Sequence, residues 1–428
     1  MGPIVAVPLV AFLAAGCVLS APPVAAPVAP VATPSVSIEP TPTPTLPPTP
    51  TPSPTRSPAP TPVPATPTAV PATPSPTPEL SCVDSTLASL TEAQRIGQLF
   101  MIGLVDDQLD ATEKQAIAQF HFGSVDYTRR TARGVAADRA VADAVQGQAT
   151  IAATRGVRFF VAANQEGGLV QALSGPGFDV MPSALDQGSL TPSVLEAMAA
   201  RWGRELKAAG INLNFAPVAD VVPPGTDAQN APIGQLQREY GHDPATVANH
   251  VAAFIVGMRE AGVATTAKHY PGLGRVAGNT DFTSAVVDAV TTRYDPYLAP
   301  FITAVRDGVP FVMVSLATYD QIDPQHLAAF SPTVIAGMLR HDLGYHGVVI
   351  SDSLGAAAVT SMPPGTRAID FVAAGGDMII INQLTQAITM AEALAAGATQ
   401  SALFRARVDN AVLNVLRAKE AQGLLPCG

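Results

Sequence analysis

Residues 347–355 read Gly-Val-Val-Ile-Ser-Asp-Ser-Leu-Gly, and they predict a buried strand with a carboxylate at its end. Val348, Val349 and Ile350 form an apolar run without alternation, which is typical of a strand covered on both faces. Asp352 follows where the run ends. In parallel α/β sheets and barrels the carboxyl ends of the strands carry the chemistry, which makes Asp352 a candidate catalytic residue. The alternative interpretation is that Asp352 caps the next helix, since Asp is a favoured N-cap residue.

Seven further strand-like runs occur in the chain, and helical stretches alternate with them. The eight predicted strands lie near 98–104, 121–126, 157–163, 211–216, 262–267, 309–316, 347–351 and 377–381. The predicted helices cover 111–119, 133–155, 191–209, 245–260, 297–307, 331–342, 365–374 and 385–420. Eight β/α alternations predict an α/β fold of the (β/α)8 TIM-barrel type. A doubly wound open sheet is the alternative, but no Gly-x-Gly-x-x-Gly follows the first strand.

Polar side chains stand at the ends of four of the predicted strands. They are Asn164 and Glu166 after the third strand, Asp220 after the fourth, Lys268 and His269 after the fifth, and Asp352 after the seventh. Because the strand ends of a barrel meet on one face, these residues predict a single site. Adjacent Lys and His side chains can donate to the hydroxyl groups of a polar ligand. The ordinary interpretation of an isolated Lys-His pair is a turn facing solvent.

Residues 3–16 are apolar and lead into Cys17. The segment is shorter than the ~20 residues that span a bilayer, and it fits the apolar part of a secretory signal peptide. Residues 13–17, Leu-Ala-Ala-Gly-Cys, resemble the bacterial lipobox, so 1–17 predict a signal peptide with Cys17 lipidated; an ordinary secretory signal is the alternative. Residues 18–81, rich in Pro, Thr and Ser, predict a disordered, extended spacer. The expected location is the outer face of the cytoplasmic membrane, or outside the cell.

The folded domain is predicted to span 82–428. In an exported protein its two cysteines, Cys82 and Cys427, predict a disulfide between the ends of the domain. The net charge of −10 and the 14% charged residues argue against a nucleic-acid partner, which a basic surface would recognise. The seven histidines show no metal-ligand spacing, so we expect neither a metal nor another cofactor. The sequence contains no obvious oligomerisation motif, which predicts a monomer.

Five segments resemble the markers of glycoside hydrolase family 3, in particular its single-domain β-N-acetylhexosaminidases. They are 164–170, similar to Asp-x-Glu-Gly-Gly-x-Val; 212–220; 238–244, similar to Arg-Ser-Phe-Gly-x-Asp-Pro; 268–272, similar to Lys-His-Phe-Pro-Gly; and 330–352, which leads to the nucleophile. The segments occur in the family's order on the expected elements, and the resemblance covers essentially all of 90–420.

The resemblance implies retaining hydrolysis of a terminal β-linked sugar. The default substrate is a β-N-acetylhexosaminide of the cell wall or of a surface glycan, such as a peptidoglycan fragment. Asp352 would be the nucleophile that forms a glycosyl-enzyme intermediate. The substrate-binding residues would be Asn164, Glu166, Asp220, Arg238, Lys268 and His269.

The sequence departs from the family pattern where the family carries its general acid/base pair. In place of Asp-Ser-His the chain has Asn279-Thr280-Asp281, so Asp281 becomes the candidate proton donor. Further departures are Leu273 and Leu316 in place of histidines, Asn164 in place of an aspartate, and Leu169 and Ala172 in place of arginines. These changes predict a divergent branch of the family.

Two functions remain open at this point. The first is an active glycosidase with Asp281 as proton donor. The second is a cell-surface carbohydrate-binding protein on the same scaffold, with weak or no turnover, because loss of general acid/base help costs ~10²–10⁴-fold without abolishing binding. Retention of Asp352, Lys268 and His269 favours the enzyme. A sugar-uptake binding lipoprotein would need two lobes and a hinge, which the eightfold alternation does not support.

Overall fold

The computed structural model describes residues 80–427. Eight strands form its central sheet: β1 (Phe100–Leu104), β2 (Ser124–Tyr127), β3 (Phe160–Ala163), β4 (Leu213–Asn214), β5 (Ala264–Tyr270), β6 (Phe311–Val314), β7 (Val348–Ser351) and β8 (Ile379–Ile381). Each strand pairs in parallel with the next in the chain, and β8 pairs with β1. A bridge between Ile350 and Met378 closes the ring between β7 and β8. The predicted (β/α)8 barrel is confirmed, and the open sheet is wrong.

The barrel strands are buried along their whole length. Every residue of β1, β3, β6 and β7 is buried, because the barrel interior covers one face of each strand and the outer helices cover the other. The pairing register places Val348 opposite Phe311 and Met101 opposite Ser124. Two-sided burial explains why continuous apolar runs, and not alternating ones, predicted the strands.

Twelve α-helices are present in residues 80–427. They are α1 (Cys82–Ser89), α2 (Glu92–Gln98), α3 (Ala111–Phe120), α4 (Val135–Gln146), α5 (Ile151–Thr154), α6 (Ala184–Gln187), α7 (Pro192–Ala208), α8 (Pro244–Glu260), α9 (Ala299–Arg306), α10 (Pro364–Ala374), α11 (Leu384–Gln400) and α12 (Ala402–Ala421). One further helix, Thr333–Asp342, has wider, π-type turns.

Two predicted helices, 133–155 and 385–420, are wrong as single elements, because each is interrupted by a cap. The hydroxyl of Thr150 accepts a hydrogen bond from the Ala153 N–H at 3.0 Å and starts α5. Ser401 adopts an extended backbone, and its hydroxyl accepts from the Phe404 N–H at 3.2 Å to start α12. Ser and Thr are favoured at N-caps because their oxygens satisfy these otherwise unpaired donors.

The ends of the described chain meet on the outside of the barrel. Helices α1 and α2 precede the first strand, where the sequence predicted no element, and α1 packs against α12. Cys82, in α1, forms a disulfide with Cys427, with their Cα atoms 6.1 Å apart. The predicted disulfide is confirmed.

Two small sheets lie in the loops of the barrel. One is the hairpin of Gln165–Gly167 with Val170–Gln171, and the other combines Val287–Asp288, Thr318–Tyr319 and Asp323–Leu327. Among residues 80–427, no helix combines the length and the apolar character needed to cross a bilayer. The predicted signal peptide with Cys17, and all but the last two residues of the predicted spacer, lie outside the described residues.

Candidate active site

A pocket opens at the carboxyl ends of the barrel strands, where the sequence predicts the site. Its lining residues are Asp126, Asn164, Phe215, Pro232, Arg238, Lys268, His269, Leu273, Asn279, Thr280, Asp281, Met313, Asp352, Ser353, Ile380 and Asn382. Six of the eight predicted catalytic and substrate-binding residues are in this set. We call the side chains of Asn164, Glu166, Asp220, Arg238, Lys268 and His269 the pocket floor, and the segment 279–281 the pocket rim.

Asp352 stands at the end of β7, half-buried at the pocket surface. Its backbone N–H donates to the Val314 carbonyl at 3.0 Å, which continues the pairing of β7 with β6. Its Oδ1 accepts from the N–H of Ser353 at 2.8 Å. The next helical turn starts at Ala357, with Ala356 as its N-cap. Asp352 therefore caps no helix, which removes the alternative interpretation of this residue.

Lys268 is a buried cation that reaches the pocket from β5. Its Nζ lies 2.7 Å from Oδ1 of Asn164 and 2.6 Å from Oε1 of Glu166. Burial lowers the pKa of Lys268 below its ordinary value, while the Glu166 carboxylate acts in the opposite direction. The pairing of β5 with β6 shifts register between Lys268 and Tyr270, and both Lys268 and its neighbour His269 line the pocket.

Glu166 joins two cations of the pocket floor. Its two carboxylate oxygens accept from Nε and Nη2 of Arg238, both at 2.8 Å, in a two-pronged ion pair. Burial acts to raise the pKa of Glu166, but Arg238 and Lys268 outweigh it and lower the pKa to about 2. Glu166 is 3% exposed and does not line the pocket. The structure therefore places Glu166 beneath the pocket lining, where it positions Arg238 and Lys268, and its contact with the sugar stays a prediction.

Asp220 orients His269, as Glu166 orients Arg238 and Lys268. Its Oδ2 lies 2.7 Å from Nδ1 of His269, and its Oδ1 accepts from the backbone N–H of Leu273 at 2.7 Å. An Nδ1–H bond to the carboxylate leaves Nε2 of the imidazole for a ligand. Asp220 is fully buried and lies outside the pocket lining, where it positions His269, and its direct contact with the sugar stays a prediction.

The pocket rim carries Asp281, the candidate proton donor. The backbone N–H of Asp281 donates to Oδ1 of Asn279 at 2.9 Å. Enclosure by the pocket walls raises the pKa of Asp281, and the charge of Asp352 raises it further, while His269 opposes both effects. The Asp281 side chain is exposed at the pocket mouth, so solvent limits the size of the shift.

The pocket lining includes two strand-end polar residues that the sequence analysis did not select, Asp126 in β2 and Asn382 after β8. Asp126 is 3% exposed, and among the described residues its Oδ1 has no hydrogen-bond partner; Oδ1 of Asn382 is also buried without a partner there. Burial raises the pKa of Asp126 to about 7, with Asp107 adding to the effect. The strand-end rule that selected Asp352 would have found both, since Asp126 ends one predicted strand and Asn382 directly follows another.

Comparisons with known proteins agree with this architecture. A sequence profile described as "Glycosyl hydrolase family 3 N terminal domain" matches residues 91–418. A β-N-acetylhexosaminidase structure from Beutenbergia cavernae is 46% identical, with a TM-score of 0.75, over 77% of this chain and 99% of that one. A family 3 β-N-acetylglucosaminidase from Paenibacillus sp. is 29% identical, with a TM-score of 0.70, over 78% and 63% of the two chains.

The curated relatives match over a shorter span. A β-hexosaminidase of Stenotrophomonas maltophilia is 36% identical over 206 residues, which are 46% of this chain and 59% of the relative. The match thus covers less than two thirds of that relative's length. The family profile, in contrast, spans all eight barrel strands, which lie between residues 100 and 381. The chain belongs to glycosyl hydrolase family 3.

Proposed function

We propose that the protein is a retaining glycosidase that removes a terminal β-linked sugar. The observation that carries the proposal is that two carboxyl groups, Asp352 and Asp281, line one pocket together with Lys268, Arg238 and His269. Retaining glycosidases need one carboxylate as nucleophile and one carboxylic acid as proton donor. The raised pKa of Asp281 suits the second role, and the strand-end position of Asp352 suits the first.

The reaction proceeds in two displacements. Asp352 attacks the anomeric carbon while Asp281 protonates the glycosidic oxygen, so the leaving alcohol departs and a glycosyl ester of Asp352 forms. Asp281, now ionised, then accepts a proton from water as that water attacks the anomeric carbon. The C–O bond to Asp352 breaks, both carboxyl groups return to their starting state, and the sugar leaves with its original anomeric configuration.

The pocket floor binds the sugar. Lys268, Arg238 and His269 donate to hydroxyl groups, and Asn164 contributes its amide. Asp126 and Asn382, whose buried oxygens lack partners, accept from further hydroxyl groups. The pocket encloses about 170 Å³, below the roughly 300–1,000 Å³ of pockets that bind drug-sized ligands, which supports a site for one terminal sugar.

The sugar that we propose is an N-acetylhexosamine. Support comes from the names of the relatives: the 46% identical structure is a β-N-acetylhexosaminidase and the 36% identical relative a β-hexosaminidase. Asp281 stands where the resembled pattern has its histidine, which supports our proposal of a divergent branch with a carboxylic acid as proton donor.

The setting that we propose is the cell surface. Residues 1–17 would direct export, with Cys17 as lipid attachment site, and the Pro-rich 18–81 segment would hold the 82–428 domain away from the membrane. A relative named as an uncharacterized secreted glycosyl hydrolase, 31% identical over 233 residues, supports export. The substrate would then be a peptidoglycan fragment or another surface glycan, acted on by a monomer without a cofactor.

A second candidate is a carbohydrate-binding protein with weak or no turnover. The observation that favours it is the rim: the Asp281 side chain is exposed, and in residues 80–427 its carboxylate has no ion-pair partner within 4 Å. The pocket floor would bind a sugar equally well without the rim.

Hydrolysis of a panel of chromogenic β-glycosides by the wild-type protein and by Asp352→Ala separates the two candidates. For a retaining glycosidase we expect Asp352→Ala to lose activity by about 10⁴–10⁶-fold, as removal of a nucleophile does. A slow substrate should add the mass of one glycosyl unit to the wild type but not to the variant. Asp143→Ala, an exposed aspartate on α4, is the control. Equal inactivity of wild type and Asp352→Ala on every sugar, with retained glycan binding, would select the binding protein.

A further inference from the structure

The loop between β4 and α8 contains a cluster of titratable side chains apart from the pocket lining: Asp227, Glu239 and His242. One nitrogen or oxygen atom of each lies within 4.8 Å of those of the other two. Nδ1 of His242 is 3.6 Å from Oδ1 of Asp227 and 3.2 Å from the Val222 carbonyl oxygen. Two carboxylates and an imidazole thus surround one small volume.

The Glu239 carboxylate makes no ion pair within residues 80–427. The residue is fully buried, and neither of its carboxylate oxygens makes a hydrogen bond to that part of the chain. Oδ1 of Asp227 is likewise buried without a hydrogen bond to the described residues, and it lies 3.6 Å from Nδ1 of His242. Burial of an ionised carboxylate without a compensating group is costly, so the two facing carboxylates require either a bound cation or a shared proton.

We propose that Asp227, Glu239 and His242 bind a divalent metal ion with the ligand preference of Zn²⁺. Imidazole nitrogen and carboxylate oxygen are established zinc ligands at ~2.0–2.2 Å, so two ligand atoms on one ion lie at most about 4.4 Å apart. The separations in the cluster require only a small adjustment to meet that limit. The side chains of Asp227 and His242 are 38% and 33% exposed, which gives water access to the remaining coordination position.

The position of the cluster indicates what the ion does. Arg238 directly precedes Glu239, and its guanidinium makes the two-pronged ion pair with Glu166 in the pocket floor. Asp227 and His242 are the first and last residues of the 227–242 segment. An ion that binds both of them, together with Glu239, therefore fixes both ends of the segment. The site is structural: it holds the segment that presents Arg238 to the sugar.

The sequence predicted no metal because its histidines lack the regular spacing of known metal-binding motifs. The three residues stand at 227, 239 and 242, a pattern that matches no short metal motif, and the fold of the loop brings them together. A site of this kind is visible only once the tertiary structure is known.

The test is Zn²⁺ binding by the full-length, disulfide-bonded protein after dialysis against a chelator, followed by calorimetry and thermal unfolding. We expect one equivalent of Zn²⁺ to bind and to raise Tm. Loss of an outer-shell partner costs roughly 10–100-fold in metal affinity, so Glu239→Gln and His242→Gln should weaken binding at least as much and abolish the Tm shift. His326→Gln is the matched control, because His326 pairs with Asp323 at 3.0 Å outside any cluster of three ligands.

A shared proton between Glu239 and Asp227 predicts the opposite result. Glu239→Gln then imitates the protonated acid and leaves Tm unchanged or higher, and Zn²⁺ has no effect on the wild type. That outcome, or Zn²⁺ binding that persists in both cluster variants, overturns the proposal. None of these readouts depends on glycosidase activity, so the metal site and the proposed function fail independently.

Discussion

The pocket floor and the pocket rim are built on different principles. In the floor each ionic group has a partner: Lys268 and Arg238 share Glu166 at 2.6–2.8 Å, and His269 contacts Asp220 at 2.7 Å. In the rim, Asp281 is exposed and is connected to Asn279 through its backbone N–H. The groups that we assign to sugar binding are thus fixed before a ligand arrives, whereas the assigned proton donor is held loosely.

This contrast has a physical basis. Buried cations need counter-charges, because an unpaired charge in the interior is unstable, and the same counter-charges orient the cations toward the pocket. A proton donor has the opposite requirement, since a salt bridge would keep its carboxyl group ionised. The lack of an ion pair at Asp281 is therefore consistent with acid catalysis, although it leaves the carboxyl group less well positioned.

Among substitutions that distinguish the rim from the floor, we expect Asp281→Asn to have the largest effect, and that effect is on kcat. General acid/base assistance is worth ~10²–10⁴-fold, so kcat should fall by that factor on substrates with poor leaving groups, with little change in KM. Activated aryl glycosides, whose leaving groups need no proton, should lose much less in the first step. The measurement is kcat across a series of leaving-group pKa values for both proteins.

The same variant gives a pH signature. Asp281 acts while protonated, and its pKa lies above the ordinary 3.8, so wild-type activity should fall as pH rises through that raised pKa. Asp281→Asn should lack this alkaline limb. Asn279→Ala removes the hydrogen bond to the Asp281 backbone but keeps the Asp281 carboxyl group. It is the control for structural disturbance of the rim, and it should retain the alkaline limb. An unchanged leaving-group dependence in Asp281→Asn would exclude Asp281 as the proton donor.

In the floor, Glu166→Gln is expected to act on stability. The substitution leaves Arg238 and Lys268 buried without their carboxylate, and breaking a buried ion pair by removal of one partner costs about 3–5 kcal/mol. Urea unfolding should show a lower free energy of unfolding together with a higher KM. Glu420→Gln, an exposed glutamate of α12, should change the free energy of unfolding by less than about 0.5 kcal/mol. If the Glu166→Gln variant were as stable as the wild type, the ion pairs of Glu166 with Arg238 and Lys268 would not pre-organise the floor.

The sequence predicted the barrel and most of the pocket because both follow from local patterns. Two-sided burial makes each barrel strand a continuous apolar run, and Lys268, His269 and Asp352 stand at the ends of such runs. Burial depth follows no local pattern. Glu166 and Asp220 occupy strand ends as Asp352 does, yet both are buried beneath the pocket lining, since their partners, Lys268 and His269, come from another strand, β5.

The errors in helix bounds have a similar origin. The 385–420 stretch has helical periodicity throughout, but Ser401 ends α11 with its extended backbone and starts α12 with its hydroxyl. Such a cap competes with helix continuation by a small free energy of about 0.5–2 kcal/mol, which periodicity does not reveal. The cluster of Asp227, Glu239 and His242 depends on loop geometry and was not predictable from spacing.

Asp126, which lines the pocket outside the floor, offers the smallest and most specific test, because its buried Oδ1 has no hydrogen-bond partner among residues 80–427. Its pKa of about 7 in the folded protein exceeds the ordinary 3.8, so the folded state binds a proton that the unfolded state has lost between these values. Stability from this group is fully present below about pH 4 and is lost as pH rises through 7. Asp126→Asn cannot ionise, so between pH 4 and 8 its free energy of unfolding should gain up to about 4 kcal/mol relative to the wild type, since each unit of pKa difference corresponds to about 1.4 kcal/mol.

If Asp126 also accepts from a sugar hydroxyl, KM should rise by about 2–10-fold in the variant, the value of one hydrogen bond. A pH-independent difference in stability would mean that the folded protein compensates the charge of Asp126, as the floor compensates the charge of Glu166.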